Sequence, residues 1–154
     1  MSPALRTGLG FAAAVLSVLT FHQGMILLLS KLALFGMPPN AVVWNLAANP
    51  RAFGLPTIVN QCFWGGLYGA AYGLIAPRLP LPMWLSGLIT GAATTMVGLF
   101  VIAAIRGTPI GGGWQLMVWA RGLSIGLSFG LGLSLFYLLL AKLAGKPMRI
   151  NETG

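Results

Sequence analysis

The 154 residues are 57% hydrophobic and only 6% charged, with a mean hydropathy of +0.88, whereas a soluble domain carries roughly 25% charged residues. Such a chain cannot coat a water-facing surface, and its length allows one compact domain, residues 1–154, with no separate soluble one. Nine Lys and Arg face a single acid, Glu152, giving a net charge of +8; these bases stand singly at span ends, a pattern that signals topology and contact with anionic lipid headgroups rather than nucleic acid.

The residue inventory excludes further chemistry. No carboxylate is available inside the apolar runs for proton relay, aspartyl catalysis or a hard-cation site. One cysteine, Cys62, and one histidine, His22, exclude an intrachain disulfide, a multi-cysteine metal site and a Cys-His-Asp arrangement. No catalytic residue, no metal site and no enzymatic activity are expected.

The first apolar run predicts a span over residues 8–35, flanked by Arg6 and containing Lys31 near its end, with Pro38 and Pro39 as its stop. The polar His22-Gln23 pair and the continuation to Phe35 favour a retained span over a cleaved signal peptide. Residues 36–55 form a loop whose middle, Ala41 to Ala48, reads either as a short interfacial helix anchored by Trp44 or as an ordered loop. The second span, 56–76, opens on Pro56 as a first-turn residue. The tight turn at Arg78-Leu79-Pro80-Leu81-Pro82 then predicts that spans two and three are antiparallel neighbours. The third span covers 83–105, a glycine-rich connection covers 106–115, and the fourth span covers 116–141 before a basic tail at 142–154. The expected fold is all-α: a polytopic membrane protein with a four-transmembrane-helix bundle.

Arg6, Arg78, Lys142, Lys146 and Arg149 fall on one side, and Lys31, Arg51, Arg106 and Arg121 on the other. The bias places both termini in the cytoplasm, and the Ala-, Gly- and Arg-rich usage fits a bacterial inner membrane. Small residues recur at intervals of four: Gly65, Gly69 and Gly73 on span two, Gly87 and Gly91 on span three, Gly122, Gly126 and Gly130 on span four. Such ladders let backbones approach, either within the bundle or, for one of them, at a seam to another subunit or a second copy.

The polar residues His22, Gln23, Lys31, Asn60, Gln61, Arg121 and Ser124 gather towards the outer half and form the candidate ligand- or partner-binding set. Arg121 lies inside a span with no acid of this chain to meet it, so an external anion is its natural partner. α-Helical geometry turns Gln23 towards the bundle and His22 about 100° away, through the face of Phe11, Val15 and Val18, towards lipid, a partner or a cofactor. The leading expectation is a non-enzymatic accessory or structural subunit of a larger membrane complex. The alternative is a carrier or binding protein for a small anionic or amphipathic ligand, using Arg121, Gln61 and Gln23. A third is ligation of haem or chlorophyll by His22, although no cofactor is expected on balance.

Overall fold

The computed structural model describes residues 1–145; Lys146, Arg149 and Glu152 of the expected tail lie outside the described residues. The described chain is helical without strands. Its four long helices are α1 (Pro3–Lys31), α2 (Thr57–Ile75), α3 (Met83–Ile105) and α4 (Leu116–Leu143). Three of them, α1, α3 and α4, are long and apolar enough to cross a membrane. The 19 residues of α2 suffice in length, but Asn60, Gln61 and four glycines dilute their hydropathy. Large apolar side chains cover the outside: Phe53 is 101% exposed and Leu116 79%. A water-soluble monomer does not present such a surface throughout.

Most boundaries fall where caps and prolines put them. Ser2 caps α1 by accepting from the Leu5 amide, with Pro3 in the first turn, a position that needs no proline N–H. The far end of α1 departs from expectation. The helix stops at Lys31 rather than at residue 35, because Ala33 and Phe35 adopt left-handed backbone with φ of 49° and 52°, which terminates the ladder well before Pro38. Pro56 precedes α2 as its N-cap instead of joining its first turn. No helix forms over Ala41 to Ala48; the segment is an ordered, irregular loop. At the other end, α4 continues to Leu143.

The loop at residues 37–56 is held along α1 by specific bonds. Ser30 Oγ donates to the Pro38 carbonyl (2.7 Å) and accepts from the Ala41 amide (3.1 Å). The loop also serves α2, whose first amides have no intrahelical acceptor and no side-chain cap. The Thr57 amide donates to the Ala47 carbonyl and the Ile58 amide to the Asn45 carbonyl. Deepest of all, Trp44 Nε1 donates to the Leu19 carbonyl at 2.8 Å. Leu19 sits in a π-helical turn, Val18–His22, whose wider hydrogen-bond ladder leaves a carbonyl open to an outside donor. It lies about 18 Å along the axis from Lys31 at the α-helical rise. Irregular backbone packed along an apolar helix is tolerated where its polar groups find partners of this kind.

Glycines decide which helices touch. On α2, Gly69 lies so close to Gly10 of α1 that a Cβ on either residue would collide with the other's carbonyl oxygen, and Gly73 abuts the Arg6 carbonyl. The α3–α4 pair repeats the device: Gly87 faces Gly130, and Gly91 faces Gly126. Close backbone approach multiplies dispersion contacts, the main attraction between helices in lipid. α1 then joins α4 through Ser17, whose Oγ donates to the Phe129 carbonyl (2.6 Å), and through Ser128, whose Oγ donates to the Phe21 carbonyl (3.1 Å). Between α1, α2 and α4 lies the core of Ala13, Ala14, Val18, Tyr72, Phe129, Leu133 and Tyr137, in which the Tyr72 and Tyr137 rings meet edge to face.

The helices therefore stand in the spatial order α2, α1, α4, α3. The expectation that spans two and three are antiparallel neighbours holds only at the turn between α2 and α3. They meet near the turn, where the Tyr72 hydroxyl donates to the Met83 carbonyl, and then diverge, because each has spent its glycine face on a different partner. Their divergence opens the cleft described next.

Candidate functional site

A cleft of ≈ 350 Å³ lies between α2 and α3, floored by α1 and α4. Apolar groups make most of its wall, among them Val18, Leu99, Ile125 and Phe129, while His22, Gln61, Tyr68, Thr94 and Thr95 supply polar atoms. A small-molecule site between bundle helices has this composition and size. Two π-helical segments flank it. Val18 and His22 come from the first, and Gly98 and Leu99 from the second, Val97–Ile102 in α3. π-Helical turns displace side chains from the α-helical register, and they recur at binding sites for that reason.

The polar end of the cleft can be orientated atom by atom from one backbone group. The Trp44 amide can only donate, and it donates to Gln23 Oε1 at 3.0 Å. The Gln23 nitrogen must then face the other way, where Nε2 donates to Gln61 Oε1 at 2.8 Å. The same nitrogen lies 3.4 Å from His22 Nδ1. With an N–H facing it, Nδ1 is the acceptor, and a neutral imidazole carries its proton on Nε2. Gln61, its oxygen committed, keeps its amide hydrogens for the cleft. Tyr68 has no hydrogen-bond partner among the described residues. The threonine hydroxyls are already spent as donors: Thr94 on the Gly91 carbonyl, Thr95 on the Gly91 and Gly122 carbonyls. The cleft thus presents donors from His22, Gln61 and Tyr68, and no acid.

The candidate residues divide between this site and other places. His22, Gln23 and Gln61 come together, with Gln23 buried behind the other two as the part that orientates them. His22 and Gln23 leave the helix in different directions, but the Gln23 side chain is long enough for its Nε2 to reach His22 Nδ1. Asn60 is half-buried at the start of α2 and Lys31 is exposed at the end of α1; neither lines the cleft. Arg121 turns away from it, donating to the Gly36 carbonyl at 3.2 Å, and Ser124 donates within its own helix to the Ala120 carbonyl at 2.7 Å. The glycines Gly65, Gly122 and Gly126 line the cleft as well as packing helices.

Sequence reasoning passed over Trp64, Tyr68, Thr94, Thr95 and Leu99 as site residues. The stripe of Gln61, Trp64 and Tyr68 at helical spacing was the available signal for the α2 wall, and the polar pair Thr94 and Thr95 in the middle of span three was the signal for the α3 wall. No methionine or cysteine lines the cleft beside His22, and among the described residues no cluster of metal-ligating side chains occurs. No family model, no curated protein and no solved structure matches this chain.

Proposed function

We propose that this chain is a non-enzymatic integral membrane protein that binds or carries a small amphipathic, lipid-soluble molecule in the cleft between α2 and α3. The observation that carries this reading is the donor set formed by His22, Gln61 and Tyr68 inside a mainly apolar hollow. A ligand that fits it has an apolar body and a hydrogen-bond acceptor, such as a carbonyl or ether oxygen. The proposed setting is a bacterial inner membrane, crossed four times with both termini in the cytoplasm. Support for α2 as the fourth span is its glycine contact with α1 along much of its length, and a span of about 28 Å, close to the hydrocarbon thickness.

Two findings favour this reading over an accessory subunit of a larger complex. All three glycine ladders are occupied by partners within the chain, so none supplies a free seam, and Arg121 has an internal acceptor. The test is purification from native membranes in mild detergent, followed by extraction and mass spectrometry of the bound fraction. The expected result is a near-stoichiometric small molecule with an acceptor group, reduced at least tenfold in the His22→Leu/Gln61→Leu double variant. An empty cleft together with a stoichiometric protein partner refutes this reading and favours the subunit.

A further inference from the structure

A second cavity of ≈ 290 Å³ adjoins the cleft beyond the same two residues of α3, Gly98 and Leu99, which line both. Its other walls are the end of α3 and the connection to α4, and they include Arg106, Thr108, Gly112 and Val118. The connection is shaped for this: Gly111, Gly112 and Gly113 run consecutively at φ of 61–64°, a left-handed path that only glycine follows without strain. Trp119 Nε1 pins that path by donating to the Gly111 carbonyl at 2.8 Å. Arg106 has no hydrogen-bond or ion-pair partner among the described residues, which hold no carboxylate to meet it.

We infer that the two cavities form one elongated site for an anionic acyl lipid, its headgroup anion on Arg106 and its chain passing Leu99 into the cleft. The inference rests on the cleft being a ligand site and names what occupies it. The order of chemistry along the path matches such a molecule: a guanidinium at the helix end, the shared stretch at Gly98 and Leu99, then donors that suit an ester or acid carbonyl, then apolar walls. The gap between α2 and α3 lets a chain leave sideways into the bilayer. Arg106 stands at the span end, where a lipid phosphate or carboxylate lies and where a planar guanidinium can bind it through two nitrogens.

The site can be tested on the whole protein in mild detergent by native mass spectrometry, with phosphatidylglycerol and phosphatidylcholine of identical chains as probes. Wild-type protein is expected to retain the anionic lipid at least fivefold over the zwitterionic one. Arg106→Gln brings the ratio to about one, while Arg78→Gln, which removes the same charge at the opposite end, leaves it unchanged. Gly98→Phe, between the two cavities, reduces retention of both lipids; a Cβ at Gly98 meets nothing within 4 Å, so the substitution begins without a backbone clash. Inorganic phosphate at millimolar concentration leaves the lipid in place; displacement by phosphate identifies a free-anion site and overturns the lipid assignment. Equal retention of both lipids, lost in Gly98→Phe, leaves the cleft a ligand site and overturns the anionic headgroup. Retention of neither overturns the lipid assignment, while the cleft as a ligand site stands or falls on the extraction experiment above.

Discussion

Gln23 gives the sharpest quantitative test of how the site is built. It is 2% exposed, accepts from the Trp44 amide at 3.0 Å and donates to Gln61 at 2.8 Å. Gln23→Leu keeps the volume and removes both bonds. Gln61 is half-exposed and can turn its oxygen elsewhere, so most of the cost falls on Trp44, whose amide is left without an acceptor far below the end of α1. An orphaned buried donor costs about 1–3 kcal/mol. At about 1.4 kcal/mol per factor of ten, the midpoint of that range corresponds to roughly thirtyfold faster opening. The indole bond from Trp44 to Leu19 remains, so the loop loosens locally and the bundle stays folded. Hydrogen exchange with mass spectrometry on peptides covering Trp44 and the start of α2 measures this directly. The double variant Gln23→Leu/Gln61→Leu is expected to cost less than the sum of its parts, by about 0.5–1.5 kcal/mol, since it removes a donor and its acceptor together. Unchanged exchange at Trp44 in the single variant would mean that the loop is not held by Gln23, and the orientation assigned to His22 and Gln61 would fall with it.

Three further outcomes follow from the packing. Gly91→Ala drives a methyl into the Gly126 carbonyl and is expected to lower unfolding stability by about 1–3 kcal/mol; Gly98→Ala, with open space, is expected to be neutral or stabilising by up to about 1 kcal/mol in the same assay. Ser17→Ala removes the 2.6 Å bond to the Phe129 carbonyl and is expected to cost about 1 kcal/mol by steric trapping or denaturant titration, the Phe129 carbonyl keeping its place in the α4 ladder. On a Cys62→Ser background, Ser2→Cys and Arg78→Cys are expected to react with impermeant maleimide from the cytoplasmic side, and Phe53→Cys and Gly107→Cys from the other; any mixed pattern contradicts four crossings.

Length, hydropathy and charge were enough to establish an all-helical chain with helices fit for a membrane, because apolar runs bounded by proline, glycine and single bases leave no alternative for the backbone in lipid. The span of α3, Met83–Ile105, could be read directly from its flanking Pro82 and Arg106. The glycine ladders were visible too, but not their partners: spacing names a face, and only three-dimensional packing shows that Gly69 meets Gly10 while Gly91 meets Gly126. That pairing separates α2 from α3 despite their short turn and so creates the cleft. The tertiary structure also decided the site. Arg121 and Gln61 share a depth in the sequence reading but not a pocket, because Arg121 lies on the flank of α4 that meets the Gly36 carbonyl. His22 and Gln23 look divergent in sequence and act together in the fold, because the Gln23 amide, orientated by the Trp44 amide from the loop, reaches both His22 and Gln61. Local sequence sets what each segment can be; which helix spends its small-residue face on which neighbour is settled only when all four are packed at once.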